Sequence, residues 1–285
     1  MIWGPGVDRA GGFAAVGDTA ARAWRDLAGH WRRPLAPVAM FWPFWCGLAF
    51  LAVTILICVG LVADETVARA AERLDPGLVA LFGVVTQAGK SNWLFALSLL
   101  AIAFALYRRE GAAGARRRAA WGLIASRAFY FLTVMAFSGI ASQVIKHIVG
   151  RARPYLIDSV GPFHFDPFSF KAVLASFPSG HTTTMFAAFG ALALLSPRFG
   201  AGFLLLALPV AASRIVVGAH YPSDVCGGLF LGVASALIVA RIFARRRIAF
   251  TVTPEALLPR PRGGGLIVEE LALSKAARHA NNERP

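Results

Sequence analysis

The chain has 285 residues, of which 57% are hydrophobic and only 15% are charged, and its mean hydropathy is +0.60. Soluble globular domains have about 45–50% apolar and about 25% charged residues. The excess is concentrated in several nearly uncharged runs of about 20 residues, the length that crosses a bilayer as a helix. Composition therefore excludes a soluble single-core enzyme and a disordered chain, and it predicts an integral membrane protein.

The charge balance is strongly basic, with 29 Lys and Arg against 15 Asp and Glu and a formal net charge of +14. In a soluble chain this excess would indicate a nucleic-acid partner. In a membrane protein it indicates cytoplasmic loops, which collect Lys and Arg. The sequence has no helix-turn-helix pattern, RNP signature or zinc-finger spacing, so we expect no nucleic-acid partner.

Six apolar segments are predicted to cross the membrane, which makes the fold class all-α, a six-transmembrane-helix bundle. In chain order they are residues 35–63, 92–107, 121–145, 181–195, 201–217 and 225–243. Between the first two, residues 64–91 carry acids and helically spaced apolar positions, which predict an interfacial helix. In the sixth segment, Gly228 and Gly232 form a small-xxx-small pair that predicts a close helix contact.

The basic residues predict which side of the membrane each loop occupies. Residues 108–118 contain five Arg and one Glu, and the sixth segment ends at Arg245–Arg247. Both mark the cytoplasm. We therefore expect a cytoplasmic N-terminal arm (1–34), a six-span domain (35–247) and a cytoplasmic, partly disordered tail (248–285).

The intervening segments 64–91, 146–180 and 218–224 are then expected on the exoplasmic or periplasmic face. They hold nearly all the unusual polar residues near the spans, at the same end of each predicted helix. Topology alone should therefore bring these residues together. They are Lys146, Arg153, Ser179, Gly180, His181, Arg214, His220 and Asp224.

The residue types suit phosphate chemistry. Lys146, Arg153 and Arg214 are three cations that match a dianionic phosphate. Ser179 and Gly180 form a turn into a helix, where Ser179 can cap the helix and its N-terminus favours an anion.

The two histidines suit proton transfer and nucleophilic attack. His181 and His220 offer a general acid and a nucleophile. Asp224, four residues after His220, can accept the Nδ1 proton and hold the ring in one tautomer.

Three motifs carry a family resemblance: KxxxxxxRP at 146–154, PSGH at 178–181 and SRxxxxxHxxxD at 213–224. Together they resemble the signature of the type-2 phosphatidic acid phosphatase family. The resemblance implies a membrane lipid phosphatase in which His220 attacks phosphorus, Asp224 orients it and His181 protonates the leaving oxygen. It implies phosphate binding by the remaining motif residues, which are Lys146, Arg153, Ser179, Gly180 and Arg214. It implies no metal and no cofactor.

The motifs bind phosphate and do not select the lipid, so several substrates and activities stay open. Substrates include phosphatidic acid, phosphatidylglycerophosphate, undecaprenyl diphosphate and lipid A. Alternatives are phosphotransfer to an alcohol, a vanadium-dependent haloperoxidase, which has similar motifs, and a transporter or lipid-binding protein with a degenerate site. The expected location is a bacterial inner membrane with the site facing the periplasm, and the oligomeric state is left open.

Two further basic residues of the first motif are given lesser roles. His147 and Arg151 are expected to be solvated or to face lipid head groups. The aromatic run between residues 163 and 177 is interpreted either as loop packing or as a rim that dips into the outer leaflet where a lipid enters.

Overall fold

The computed structural model describes residues 42–253 without a gap, together with 21–22, 25–26, 28–32, 34–36, 256–263, 265 and 267. Most of the predicted N-terminal arm and the end of the predicted tail lie outside the described residues. Within them the fold is all-α, as predicted, with one short two-stranded hairpin near the C-terminal end.

Between Trp42 and Pro261, eight α-helices and two strands follow in chain order among the described residues. The helices are α1 (Trp42–Ala71), α2 (Pro76–Val85), α3 (Asn92–Glu110), α4 (Ala115–Val149), α5 (Ile157–Val160), α6 (Gly180–Leu195), α7 (Gly200–Val216) and α8 (Pro222–Arg245). The strands β1 (Phe250–Thr251) and β2 (Arg260–Pro261) pair antiparallel, with Phe250 opposite Pro261.

Five segments of the described chain are long and apolar enough to cross a membrane, and each overlaps one of the six predicted spans. The other predicted span is α6, whose 16 residues rise only about 24 Å. That is shorter than the roughly 30 Å hydrocarbon core of a bilayer. The chain is thus a multi-pass membrane protein, and the count of six spans stays a prediction.

The first span was placed too early by the sequence pattern. Its helix begins at Trp42 and continues to Ala71, passing through Asp64, where the prediction ended it. Asp64 is fully buried and ion-paired with Arg151. An acidic residue that faces the bundle interior with a partner does not have to end a membrane helix.

Helix α6 lies at the centre of the bundle and packs closely against α8. A Cβ atom at Gly228 would lie 2.7 Å from the carbonyl oxygen of Ser179, and one at Gly232 would lie 2.7 Å from the backbone nitrogen of Ala187. Only glycine allows the two backbones to approach this far. The predicted close helix contact is confirmed, and it presses α8 against the start of α6.

The opposite end of the bundle has an aromatic core. Tyr130 of α4 contacts the rings of Phe243 and Phe250 edge-on and donates a hydrogen bond to the carbonyl of Ala236 on α8. Phe250 belongs to β1, so the chain beyond residue 247 contributes to this core. This packing holds α4 against α8 and thereby sets the distance between their other ends, which carry residues of the site.

Candidate active site

Four helix ends meet at the site: the C-termini of α4 and α7 and the N-termini of α6 and α8. The backbone NH of Ser179, before α6, donates to the carbonyl of Asp224 in α8 (3.0 Å). The backbone NH of His220 donates to the carbonyl of Arg214 in α7 (3.2 Å). The first bond joins the second and third sequence motifs, as the topology argument predicted, and the second folds the third motif back on itself.

The first motif joins them through a sharp reversal after α4. Gly150 ends the helix in the left-handed conformation (φ 62°), and a Cβ there would lie 1.7 Å from the carbonyl oxygen of Asp166. The returning loop then bonds back, with Asp166 NH donating to Gly150 O and Ala152 NH to His164 O. This reversal turns the Arg151–Arg153 segment toward the other motifs.

The three predicted phosphate-binding cations are held by backbone or side-chain oxygens. Lys146 is buried and its Nζ donates to the carbonyl of Ala175 (2.9 Å), while its Cε lies 3.7 Å from the position a Cβ would take on Gly180. The half-buried Arg153 donates through Nε to the carbonyl of Ala172 (3.1 Å). Both cations therefore keep further N–H donors for a ligand.

The third cation, Arg214, is buried at the end of α7. One Nη1 hydrogen goes to the hydroxyl of Thr86, which lies in the turn Thr86–Gly89 between α2 and α3. The Nε of Arg214 is buried and has no hydrogen-bond partner among the described residues. A buried guanidinium donor of this kind is available to a phosphate oxygen.

Ser179 occupies the N-cap position of α6, but its hydroxyl does not cap the helix in the predicted way. It accepts a hydrogen bond from the hydroxyl of Thr182 (3.0 Å) instead. The side chain is fully buried, because α8 packs over it at Gly228. Gly180 and His181 follow as the first two residues of α6, so the backbone amides of this helix end are directed to the site.

A turn that sequence reasoning missed forms one side of the site. A Cβ at Gly89 would lie 2.6 Å from Cδ2 of His181 and 2.9 Å from Cγ1 of Val210. Gly89 therefore lets the turn Thr86–Gly89 pack directly on the imidazole, while Thr86 binds Arg214. A threonine and a glycine in a short turn are too common to have indicated this role from the sequence.

His220 and Asp224 lie together, as predicted, in a fully enclosed position. Nδ1 of His220 is 3.6 Å from Oδ2 of Asp224, an ion-pair distance slightly longer than a hydrogen bond. The pKa of His220 is lowered to about 4, mainly by burial; Asp224 opposes this shift, and the charges of Lys146 and Arg153 add to it. The imidazole is therefore neutral near pH 7, and its lone pair is available.

Asp224 is itself held by several donors. Its Oδ2 accepts hydrogen bonds from the hydroxyl of Ser176 (2.6 Å) and from the backbone NH of Tyr221 (2.9 Å). Its Oδ1 accepts from Nη1 of Arg151 (2.7 Å). These contacts fix the carboxylate in the first turn of α8, with Oδ2 toward His220.

Arg151 was wrongly expected to be solvated. Its side chain is 4% exposed and bridges two carboxylates, because Nη2 also donates to Oδ2 of Asp64 (2.7 Å). Burial lowers the pKa of Arg151, but the charges of Asp224 and Asp64 outweigh it and leave that pKa above its ordinary value. The sequence signal that could have identified Asp64 was an acid directly after an apolar run.

His147, the other basic residue of the first motif, lies outside this network. Its ring stacks on Phe170 with centroids 4.6 Å apart, and Nδ1 lies 2.9 Å from the carbonyl oxygen of Ser169. Within the part of the chain that the structure describes, no group of three His, Cys, Asp or Glu side chains could hold a metal ion. Three cations and the N-terminus of α6 converge at this end of the bundle.

Comparisons with known proteins identify the family of the chain. The model of the PAP2 superfamily matches residues 127–248, which contain all three motifs. Lipid A 1-phosphatase of Rhizobium etli is 36% identical over 218 residues, which is 74% of this chain and 90% of that protein. Lipid A 1-phosphatase of Rhizobium johnstonii is 36% identical over 239 residues, covering 81% and 93%.

Among solved structures, the PAP2-type phosphatidylglycerolphosphate phosphatase from Bacillus subtilis is 21% identical with a TM-score of 0.46, covering 67% of this chain and 92% of that one. The sequence relatives show the family on their own, since they match nearly their whole length at 36% identity. The chain belongs to the PAP2 superfamily and is an integral membrane phosphatase.

Proposed function

We propose that the protein hydrolyses the phosphate of a membrane lipid through a phosphohistidine formed on His220. The observation that carries the proposal is the convergence of a neutral, buried imidazole, its carboxylate partner and three cations at one end of the bundle. No single motif residue would support this chemistry alone. Their convergence gives a nucleophile, an orienting group and charge stabilisation for a phosphoryl transfer.

In the first step the lone pair of His220 Nε2 attacks phosphorus. Nδ1 faces Asp224, so Nε2 is the nitrogen left to react, and Asp224 offsets the positive charge that develops on the ring. The P–O bond to the lipid breaks and His181 gives a proton to the departing oxygen. Lys146, Arg153, Arg214 and the α6 N-terminus stabilise the phosphoryl oxygens.

In the second step water attacks the phosphohistidine. His181, now neutral, accepts the proton of that water, the P–N bond breaks and phosphate leaves. An alcohol in place of water would give phosphotransfer, so the acceptor decides between the two activities. The described residues supply the cations themselves, and the proposed route needs no metal.

For the substrate we propose the 1-phosphate of lipid A. The support is that two relatives matched over 90% and 93% of their length are both named lipid A 1-phosphatase. Phosphatidic acid, phosphatidylglycerophosphate and undecaprenyl diphosphate are the competing lipids. All four place a phosphate at the membrane surface, where the site would reach it.

An exposed apolar surface beside the site supports a substrate drawn from the bilayer. Helix α4 exposes Ile140, Val144 and Ile148 along one face. The loop after α4 extends this face, because Phe168 NH bonds to Ile148 O and Phe168 and Phe170 are 73% and 83% exposed. Such a continuous surface suits lipid contact at the level of the site.

The same loop holds two of the cations, since the carbonyls of Ala172 and Ala175 bind Arg153 and Lys146. Contact between the loop and lipid would therefore set the height of the phosphate site in the membrane. We propose that the site faces the periplasm of a bacterial inner membrane, with both termini in the cytoplasm. The basic 108–118 and Arg245–Arg247 segments support this orientation.

The test is phosphate release by purified protein in detergent across the four lipids and p-nitrophenyl phosphate. We expect His220→Ala to be inactive on all of them. His181→Ala should lose far more activity on a lipid monophosphate than on p-nitrophenyl phosphate, because an alkoxide needs a proton and p-nitrophenolate does not. Equal losses on both substrates would contradict the acid role, and turnover by His220→Ala would contradict the covalent route.

The lipid-contact surface has its own test. Phe168→Ser with Phe170→Ser should raise KM for lipid in vesicles and leave the rate on p-nitrophenyl phosphate unchanged. Phe199→Ser is the matched control, since Phe199 is also exposed but lies in the turn before α7, at the opposite end of the bundle. Equal effects of the two changes on KM would contradict the assignment.

A further inference from the structure

The buried ion pair of Asp64 and Arg151 belongs to neither the proposed nucleophile nor the phosphate cradle. We propose that Asp64, acting through Arg151, is a positioning residue for the Asp224–His220 pair. The inference rests on the proposed function, because it takes His220 as the nucleophile. It extends the working site to α1, outside the region 127–248 that the family model matches.

The guanidinium of Arg151 fixes the oxygen of Asp224 that does not face the imidazole. Nη1 donates to Asp224 Oδ1 (2.7 Å) and Nη2 donates to Asp64 Oδ2 (2.7 Å). Oδ2 accepts from the Ser176 hydroxyl and the Tyr221 backbone NH and lies 3.6 Å from His220 Nδ1. Arg151 and these two donors therefore hold the carboxylate from both sides. A planar fork that contacts both carboxylates orients them in a way that the point charge of a lysine would not.

Asp64 is in turn fixed to the helix that carries Asp224. Its Oδ1 accepts from the backbone NH of Ser223 (2.9 Å), and its Oδ2 accepts from the Ser223 hydroxyl (2.5 Å). The same hydroxyl accepts from Arg151 Nη1 (2.7 Å). A displacement of α1 would therefore move Arg151 and the first turn of α8 together.

Charge gives Asp64 a second effect. Arg151 alone would neutralise Asp224 and weaken its support of the positive charge that develops on His220. With Asp64 present, the three side chains carry a net charge of −1, so Asp224 remains an effective anion toward the ring. Stability alone does not account for the arrangement, since buried ion pairs contribute little compared with apolar packing of the same volume.

The experiment compares Asp64→Asn with a matched control, Asp158→Asn, in full-length protein in detergent. Asp158 also pairs with an arginine, Arg69 at 3.0 Å, but is 81% exposed. We expect Asp64→Asn to lower kcat by roughly 10- to 100-fold, the range found when the partner behind a metal-bound histidine is removed. KM and inhibition by inorganic phosphate should stay within about twofold in both variants, because the three cations are unaltered.

A double-mutant cycle separates positioning from folding. In an Asp224→Asn background, Asp64→Asn should lower kcat by less than about twofold, because the residue through which it acts is already lost. A loss as large as in the wild-type background would overturn the proposal. So would an unchanged kcat for Asp64→Asn accompanied only by a lower unfolding temperature.

Ser223→Ala provides a milder variant if Asp64→Asn does not fold. It removes hydrogen bonds to both Asp64 and Arg151 without changing charge, and we expect kcat to fall about tenfold. An unchanged kcat for Ser223→Ala would overturn the positioning role. His220→Ala, measured alongside, separates the positioning role of Asp64 from the proposed function. If His220→Ala is inactive while Asp64→Asn is fully active, only the positioning role is refuted.

Discussion

The contact between α6 and α8 can be tested by adding one methyl group at Gly228. The Cβ of Gly228→Ala would lie 2.7 Å from the carbonyl oxygen of Ser179 and 2.9 Å from Cβ of Thr182. Ordinary contacts begin near 3.4 Å, so the backbone of α6 would have to move by about 0.7 Å. Overpacking of this size costs about 1–3 kcal/mol, which corresponds to a melting temperature lower by roughly 2–12 °C.

The same displacement would reach the active site. Ser179 directly precedes the α6 N-terminus and bonds to the backbone of Asp224, so its movement shifts both the amides and the nucleophile's partner. Misplacement by 1 Å can cost about 100-fold in rate, and we expect kcat of Gly228→Ala to fall roughly tenfold or more. The assays are thermal unfolding in detergent and phosphate release from a lipid substrate.

Gly139→Ala is the matched control in another membrane helix, α4. Within the described part of the chain, nothing lies within 4 Å of the position that its Cβ would take. Alanine is favoured over glycine inside a helix by about 0.5–1 kcal/mol, so this variant should be equally or more stable and fully active. If Gly228→Ala and Gly139→Ala behaved alike, the close-packing argument would be refuted.

Three further predictions concern orientation, metal and pH. In a background without the native cysteines, Ser159→Cys should react with an impermeant thiol reagent on intact cells and Ala113→Cys only after permeabilisation; the reverse pattern would contradict the proposed topology. Chelation of divalent ions should leave the initial rate unchanged, and activity lost on chelation and restored by one metal would overturn the mechanism. The ¹³C resonance of His220, assigned with His220→Gln, should titrate near pH 4 instead of about 6.5, and a midpoint at 6.5 would contradict its burial. Because the unfolded chain binds this proton at higher pH, the same group should lower the free energy of unfolding as pH falls from 6.5 to 4.

Much of the fold and site could be read from local patterns. Apolar runs of the length that spans a bilayer predicted the helices, because lipid selects for segment length and hydropathy whatever their neighbours are. Because Lys146, His181 and His220 lie at helix ends on one face of the membrane, the sequence predicted that they would converge. The alternation of basic loops was sufficient to predict this convergence, but it could not predict which individual side chains pair.

The tertiary structure decided which side chains pair with each other. The first helix continues past Asp64 because Arg151, 87 residues later, neutralises the carboxylate. Arg151 is buried because Asp64 and Asp224 lie on its two sides, and the Ser179 hydroxyl binds Thr182 because α8 encloses it. Thr86 and Gly89 border the site because α2 and α3 direct their turn onto Arg214 and His181. Sequence thus determined which segments enter the membrane and which residues can do chemistry, whereas the burial and orientation of each charge depended on contacts between distant helices. The physical reason is that the energy of a buried charge is set by its partners in space, which local sequence does not contain.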